Sequence, residues 1–378
     1  MYPDRYPVGN YLELIMKILW LTHRDPLNPK AGGAERIVDE VSKRLVRFGN
    51  GITIFAPKFD GAKSMEENNG YRIIRTNGNM SSHLILPFYL LKEDFDIIIA
   101  DLGHAIPWIS PRLMRRKLVV HFLHLHRRSL PGQVNHILRF VISAIERCYF
   151  ILYPFTKFVT ISKTSLLDLT EKIGINTEYC TIIRPGVNSE LYFPRQKTEK
   201  PSLIYFGGMR DYKRPGEVLY IFKKLLEKFP NVSLTIVGSG PSKDKVIEIS
   251  EKLDISSGIH FTGRISSEEL SKLVATSWLN IHTSVTEGWG ISIIEAASAG
   301  TPTIGYDVPG VAESIESEKN GIKVKDGDRN ALYLAAERIL TNPKIWWHSC
   351  LEVSRKYSWD RAAEEWYKIL VREIETKN

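Results

Sequence analysis

Near its C-terminal end the chain reads Glu287-Gly-Trp-Gly-Ile-Ser-Ile-Ile-Glu295, two carboxylates with two glycines between them. Ala296-Ala297 and Gly300-Thr301-Pro302 follow directly. Glu287 comes after a strand-like run, Trp278 to His282, and Glu295 falls about one turn into a helix predicted to open near Gly290. Glycine lets backbone approach a ligand closely. A helix opening there aims unpaired N–H groups at an anion or a sugar oxygen. A carboxylate at the helix mouth and another further in can each accept hydrogen bonds from hydroxyls. The arrangement suits a polyhydroxyl ligand that carries phosphate.

Paired glutamates alone are common on solvated helices, but the whole string Ser284-Val-Thr-Glu-Gly-Trp-Gly-Ile-Ser-Ile-Ile-Glu-Ala296 is far more specific. It resembles the signature of the retaining nucleotide-sugar glycosyltransferases of family 4, the group 1 glycosyltransferases. That resemblance implies a GT-B fold: α/β, two tandem Rossmann-like domains facing a central cleft, with a C-terminal helix crossing back to the N-terminal domain. It also implies roles. Glu295 holds the ribose hydroxyls. Glu287 and the backbone of Gly288, Trp289, Gly290 and Ile291 hold the donor sugar. The implied reaction moves a hexosyl group from a nucleotide-diphosphate sugar to a hydroxyl of a glycan or lipid-linked acceptor. No covalent nucleophile is evident, so the resemblance implies front-face substitution, the leaving phosphate helping to remove the acceptor proton.

Further segments carry the same resemblance. Gly32 and Gly33 follow the first strand, open a helix and resemble the family's first phosphate-facing loop. In Leu118-Val-Val-His-Phe-Leu-His124-Leu-His126, His124 aligns with the histidine that approaches the reacting sugar, with His121 and His126 as close rivals. Histidine can donate to a sugar hydroxyl or take up a proton. Gly207-Gly208-Met-Arg210-Asp-Tyr-Lys213-Arg214 opens the second half. Lys213 matches the family lysine that neutralises the donor diphosphate. The family arginine is replaced by Gly208, and either Arg210 or Arg214 is expected to supply its charge. Gly238 resembles the second glycine turn, and Arg264 lies in the loop that backs the nucleotide base. Thr160-Ile-Ser162-Lys163 and Arg184-Pro-Gly186-Val-Asn188 match further landmarks.

Other chemistries weigh less. Three nearby histidines could bind zinc, but sugar transfer in this fold usually needs no metal, so neither a metal nor any other cofactor is expected. Gly238-Ser-Gly240 echoes a dinucleotide fingerprint, yet Lys243 stands where its third glycine belongs. Asp94-Phe-Asp96 and Asp326-Gly-Asp328 could hold a divalent ion, but their positions read as structural. A GT-B epimerase or phosphorylase, or a non-catalytic nucleotide-sugar-binding protein, is the alternative function.

The elements that must position these residues alternate. Strands are predicted at 17–22, 52–56, 71–75, 96–100, 118–123, 157–161 and 180–183, with helices at 34–48, 133–152 and 163–172. After the polar stretch Arg195 to Pro201 the pattern restarts. Strands follow at 203–206, 232–237, 259–261, 278–282, 302–305 and 322–324, and helices at 215–228, 242–252, 267–275, 291–299, 311–316 and 329–340. The expected domains are 16–194, an acceptor domain joined by a returning helix at 358–378, and 195–357, the donor domain. Residues 1–15 read as an extension without assigned function.

Composition agrees with two domains: 378 residues, 43% of them hydrophobic. Cys148, Cys180 and Cys350 are widely spaced, so no disulfide framework or structural zinc site is implied and the cytoplasm is the expected compartment. No apolar run reaches the ~18–20 residues that span a bilayer. The net charge of +8 sits in the first half. Arg112, Arg115, Arg116, Lys117, Arg127, Arg128, Arg139, Arg147, Lys157 and Lys163 face a single acid, Glu146, between positions 102 and 167. Such a patch draws phosphate or anionic lipid. A predicted long helix, Gln133 to Tyr153, carries a narrow polar stripe of His136, Arg139, Ser143 and Arg147. The expected partners are therefore a nucleotide-diphosphate sugar, a glycan or lipid-linked acceptor and an anionic membrane surface at the inner face of the cell membrane. Nucleic acid is not expected, since no binding module accompanies the charge.

Overall fold

A computed structural model describes residues 14–103, 106–128, 130 and 134–376; the N-terminal extension thus falls almost wholly outside the described residues. Short apolar runs form two parallel sheets, as expected where helices cover both faces. The first holds β1 (Lys17–Leu21), β2 (Gly51–Pro57), β3 (Met65–Asn68), β4 (Tyr71–Thr76), β5 (Ile97–Asp101), β6 (Leu118–Phe122), β7 (Lys157–Thr160) and β8 (Cys180–Ile182). Their order is β3-β4-β2-β1-β5-β6-β7-β8, antiparallel only between β3 and β4. The second holds β9 (Ser202–Phe206), β10 (Ser233–Val237), β11 (Ile259–Gly263), β12 (Leu279–His282), β13 (Thr303–Tyr306) and β14 (Gly321–Val324), ordered β11-β10-β9-β12-β13-β14. In each sheet the strand order reverses beside the first strand, next to β5 and next to β12. Ligands bind in the crevice at such reversals.

The helix Trp359–Glu375 leaves the second domain and crosses to the first. Ser358 caps it, accepting from Arg361 N at 3.1 Å. Its buried face is Trp359, Ala362, Ala363, Trp366, Tyr367, Ile369 and Leu370, the 3–4 spacing of an amphipathic helix. Trp366 packs 5.3 Å from the Trp20 ring and 5.4 Å from His121. Lys117 closes the far end by donating to the carbonyls of Ile374 and Thr376, where a cation also suits the helix dipole. One continuous apolar cluster runs from Trp20 and Val119 through Trp366 to Trp289 and Ile294, so the two domains share a core.

Several elements depart from the sequence reading. The helix Asn79–Lys92 was not expected. It contains Pro87, and apolar residues lie on all its sides, leaving no single stripe to read. The edge strand Met65–Asn68 and the helix Pro343–Ser354 were also missed, the first being short and polar. The single helix expected at 133–152 is two, His136–Arg147 and Tyr149–Leu152, broken at Cys148; Gln133 itself lies outside the described residues.

The crossing depends on Gly186. A Cβ there would collide with the backbone of Ser358 and Trp359, just where Val187 bridges to Ser358. Gly186→Ala should destabilise the protein by about 1–3 kcal/mol. Thermal unfolding of the variant checks this, with earlier proteolysis at the start of the crossing helix.

Candidate active site

The sequence puts Lys213 and Glu287 far apart, and the fold brings them together. After β9 the chain turns at Gly207 and runs through a short helical turn, Asp211–Lys213, to the helix Pro215–Lys228. Gly207 and Gly238 interlock, since a Cβ on Gly238 would strike the Gly207 carbonyl. That contact fixes the loop carrying Lys213. From there the Lys213 ammonium reaches Glu287 Oε1 at 2.7 Å. Ser284 Oγ donates to the same oxygen at 2.7 Å, and His282 Nε2 stands 3.3 Å from it. All three contacts fall on Oε1. Burial pushes the Glu287 carboxyl up, but Lys213 and His282 outweigh it and hold it well below the usual carboxylate range. Burial pulls Lys213 down, while Glu287, Tyr212 and Tyr205 together hold its ammonium above the ordinary lysine value.

Glu295 sits in the helix Ile291–Ser298, whose N-cap is Gly290 in the left-handed region at φ 82°. Its carboxylate is buried, 6% exposed, and pairs across the cleft with Arg36 of the first domain. Burial raises its pKa and Arg36 opposes that rise. Arg36 projects from the helix Gly33–Arg47, whose opening carries Gly32 and Gly33. Glu35 holds that opening by accepting from Gly32 N at 2.6 Å. A Cβ on Gly33 would lie 3.5 Å from Ile291 Cδ1, so the two helix openings face one another. Arg264 also spans the cleft, donating to the Pro29 carbonyl.

Among the three histidines, His121 parts from the other two. His121 is buried between Trp20 and Trp366, with Nδ1 3.5 Å from Asp101 Oδ1, a core position. His126 is held by the Gly103 carbonyl at 2.7 Å, and its backbone donates to Glu146. His124 faces the loop between Glu287 and Gly290: a Cβ on Gly288 would lie 3.5 Å from His124 Nδ1. The core side of the sheet therefore sets His121 apart, while His124 and His126 stay adjacent with their rings 5.1 Å apart, so the three do not share one face.

Not every candidate reaches the cleft. Trp289 is 2% exposed and packs on Tyr357, with Arg184 over its ring, so only its backbone is available there. Arg214 is engaged by Asp326 at 2.7 and 3.2 Å, whereas Arg210 is exposed. Asp94 pairs with Arg116, Asp96 accepts from Lys17 N, and Asp328 caps the helix Arg329–Thr341, so both Asp-x-Asp strings are structural. Sequence reasoning missed Arg36, His282, Ser284 and Glu313. Glu313 accepts from the backbone of Lys163 and Thr164 at 2.9 and 2.8 Å and ties the second domain to the first. Arg36 had a signal, one turn after Gly33 on the helix that opens at the cleft.

Comparison with known proteins follows this geometry. The family described as Glycosyl transferases group 1 matches residues 190–356, and Glycosyltransferase Family 4 matches 31–191. The chain belongs to the group 1 glycosyltransferases. It is 25% identical to an uncharacterized glycosyltransferase of Methanocaldococcus jannaschii, over 93% of this chain and 96% of that one. It is 24% identical to N-acetyl-alpha-D-glucosaminyl L-malate synthase of Bacillus anthracis, covering 84% and 87%. Its fold is that of sucrose-phosphate synthase from Thermosynechococcus elongatus, with TM-score 0.82, 18% identity and coverage of 94% and 98%. Anabaena HepE in complex with UDP-glucose superposes with TM-score 0.76, at 18% identity and coverage of 94% and 100%. This group 1 glycosyltransferase is therefore an enzyme with the two-domain GT-B fold.

Its central ion pair should show in acid stability. A carboxyl held below its ordinary value stabilises the fold above that value, 4.5, and the contribution is lost as pH falls below it. Glu287→Gln leaves the Lys213 ammonium without its carboxylate and should cost about 2–3 kcal/mol at neutral pH. Its stability should then fall less steeply between neutral pH and pH ~3 than that of the parent. Denaturant unfolding across that range measures both effects.

Proposed function

We propose that this enzyme transfers a hexosyl group, with retention at the anomeric carbon, from a nucleotide-diphosphate sugar to an acceptor hydroxyl. The observation that carries the reading is the Lys213–Glu287 pair at the mouth of the helix Ile291–Ser298, opposite His124 and the opening of the helix Gly33–Arg47. Lys213 and the unpaired N–H groups of the helix openings suit a diphosphate. Glu287 has its contacts on Oε1, which leaves Oε2 to accept from a hydroxyl of the donor sugar. Glu295 lies deeper in the same helix and accepts from the ribose hydroxyls once Arg36 yields.

In the reaction the bond from the anomeric carbon to the β-phosphate oxygen breaks as the acceptor oxygen bonds to that carbon from the same face. The acceptor proton passes to the departing phosphate. Lys213 stabilises the charge that grows on the diphosphate, the step where a fixed cation contributes most. His124, beside Gly288, donates to a hydroxyl of the transferred sugar. The cations this scheme uses are the protein's own side chains, and it calls on no metal. UDP-glucose in the HepE complex supports UDP-hexose as the donor to test first. The acceptor is a glycan or a lipid-linked hydroxyl compound, and the enzyme works at the inner face of the cell membrane.

Thermal stabilisation by UDP-, GDP- and ADP-glucose should single out the UDP sugar. Glu295→Ala should weaken that stabilisation, since a charged hydrogen bond to ribose contributes about 1.5–3 kcal/mol. Unchanged donor affinity and turnover in the folded variant would refute its role. Lys213→Ala should lower kcat by more than it raises the donor KM, because its charge matters most as the diphosphate leaves. Steady-state kinetics with the stabilising donor distinguishes the two parameters.

A further inference from the structure

On the first domain, apolar side chains face outward where a core would be expected. The helix Asn79–Lys92 exposes Met80, Leu84, Phe88 and Leu91, three of them by about 70% and Phe88 by 67%. Beside it Leu113 is 77% exposed, and the helix His136–Arg147 exposes Ile137 by 77% and Phe140 by 73%. Single exposed apolar residues are ordinary, but a contiguous set on adjacent elements marks an interaction surface. Between these elements lies a groove of about 530 Å³, lined by Met80, Ile106, Ile109, Ala144, Ile145 and Leu152. Its inner end reaches His83, which stacks on Trp108 at 4.3 Å and meets His23 Nε2 at 3.3 Å. His23 follows β1, at the sheet edge where ligands bind.

Charge frames this shoulder. Arg112, Arg139 and Arg147 are exposed on the same segments. The acid among them, Glu146, is buried and accepts from His126 N at 2.5 Å. At the far end of the first helix Glu93 and Asp94 are paired with Arg72 and Arg116. The basic cluster expected from sequence is divided. Arg115, Arg116 and Lys117 precede β6 and Arg127 follows it, so they stand at opposite ends of the sheet, and Lys117 is taken up by the crossing helix. The shoulder's own arginines remain as its positive rim. Among the described residues no helix is long and apolar enough to cross a membrane.

We propose that this shoulder docks on an anionic bilayer and that the groove takes the hydrocarbon chain of a membrane-anchored acceptor, presenting its head group beside His23. The inference rests on the glycosyl-transfer reading and selects the lipid-linked acceptor class over a soluble glycan. Apolar side chains enter the acyl boundary while arginines meet anionic head groups, the combination that gives stable but reversible attachment. A groove that opens on the shoulder and ends at His83, in contact with His23, lets the chain stay in an apolar environment as it approaches the ligand edge.

The test uses the full chain, with vesicles of phosphatidylcholine alone or mixed with phosphatidylglycerol, and a pyrene-labelled decyl chain as groove probe. The parent should co-sediment with the anionic vesicles, weaken with salt, and bind the neutral ones less. Phe140→Asp and Leu84→Asp, both at exposed positions, should each lower anionic-vesicle binding about tenfold. Ala144→Trp should fill the groove and cut pyrene-probe uptake about fivefold while vesicle binding stays within about twofold. UDP stabilisation should be unchanged in all three, which shows them folded. Equal binding of both vesicle types, variants that bind as the parent does, or probe uptake unaffected by Ala144→Trp would overturn the proposal. So would a dimer in solution that Phe140→Asp makes monomeric, since a second copy would then cover this face. If UDP fails to stabilise the parent while the vesicle and probe results hold, the donor reading falls and the lipid surface stands.

Discussion

The packing of Trp366 against Trp20 and His121 ties the two domains into one body. Each sheet places its strand-order reversal, and therefore its ligand crevice, at one edge. Two such edges make a site only when they are held face to face. The helix Trp359–Glu375 does this by leaving the second domain and completing the core of the first. Close backbone contact at Gly186 and the ties from Glu313 to Lys163 and Thr164 act at the same junction. The cleft is thus a product of large apolar contacts made some distance from it.

Inside the cleft the governing constraint is charge. Glu287 and Lys213 are both largely withdrawn from water, at 15% and 19% exposure, and each tolerates this because the other is 2.7 Å away. A ligand that brings its own phosphates and hydroxyls can exchange partners with such groups without stranding either one. The same holds for Glu295, which is satisfied by Arg36 from the opposite domain. Release of Glu295 from Arg36 is therefore coupled to the spacing between the domains, since Arg36 rides on the first and Glu295 on the second.

The outer surface follows a different rule. On the second domain surface cations meet acids, as Arg338 does with Glu318 and Lys356 with Glu316. The first domain instead carries arginines beside exposed leucine, isoleucine and phenylalanine side chains. The apolar surface thus lies on the domain that also carries His124 and Arg36.

Much of this was written locally in the sequence. Apolar runs such as Ile97–Asp101 and Leu203–Phe206 announced buried parallel strands, because a strand covered on both faces needs apolar residues at every position. The Glu287 to Glu295 string announced its helix mouth, since glycine at 290 permits the left-handed turn that opens the helix. The crossing helix showed its stripe at Trp359, Ala362, Ala363 and Trp366. Tertiary structure decided the rest. Local periodicity could not choose among His121, His124 and His126, because the choice depends on which end clears the sheet and what packs above it. It could not pair Arg36 with Glu295, whose meeting depends on the relative placement of two domains. It could not show that the Trp289 ring joins the shared core and leaves only its backbone at the cleft. It read Arg115 to Arg128 as one patch although β6 runs between its halves. Sequence determines what each segment can become through interactions a few residues long, whereas the neighbours of a charge or a ring are set by contacts hundreds of residues apart.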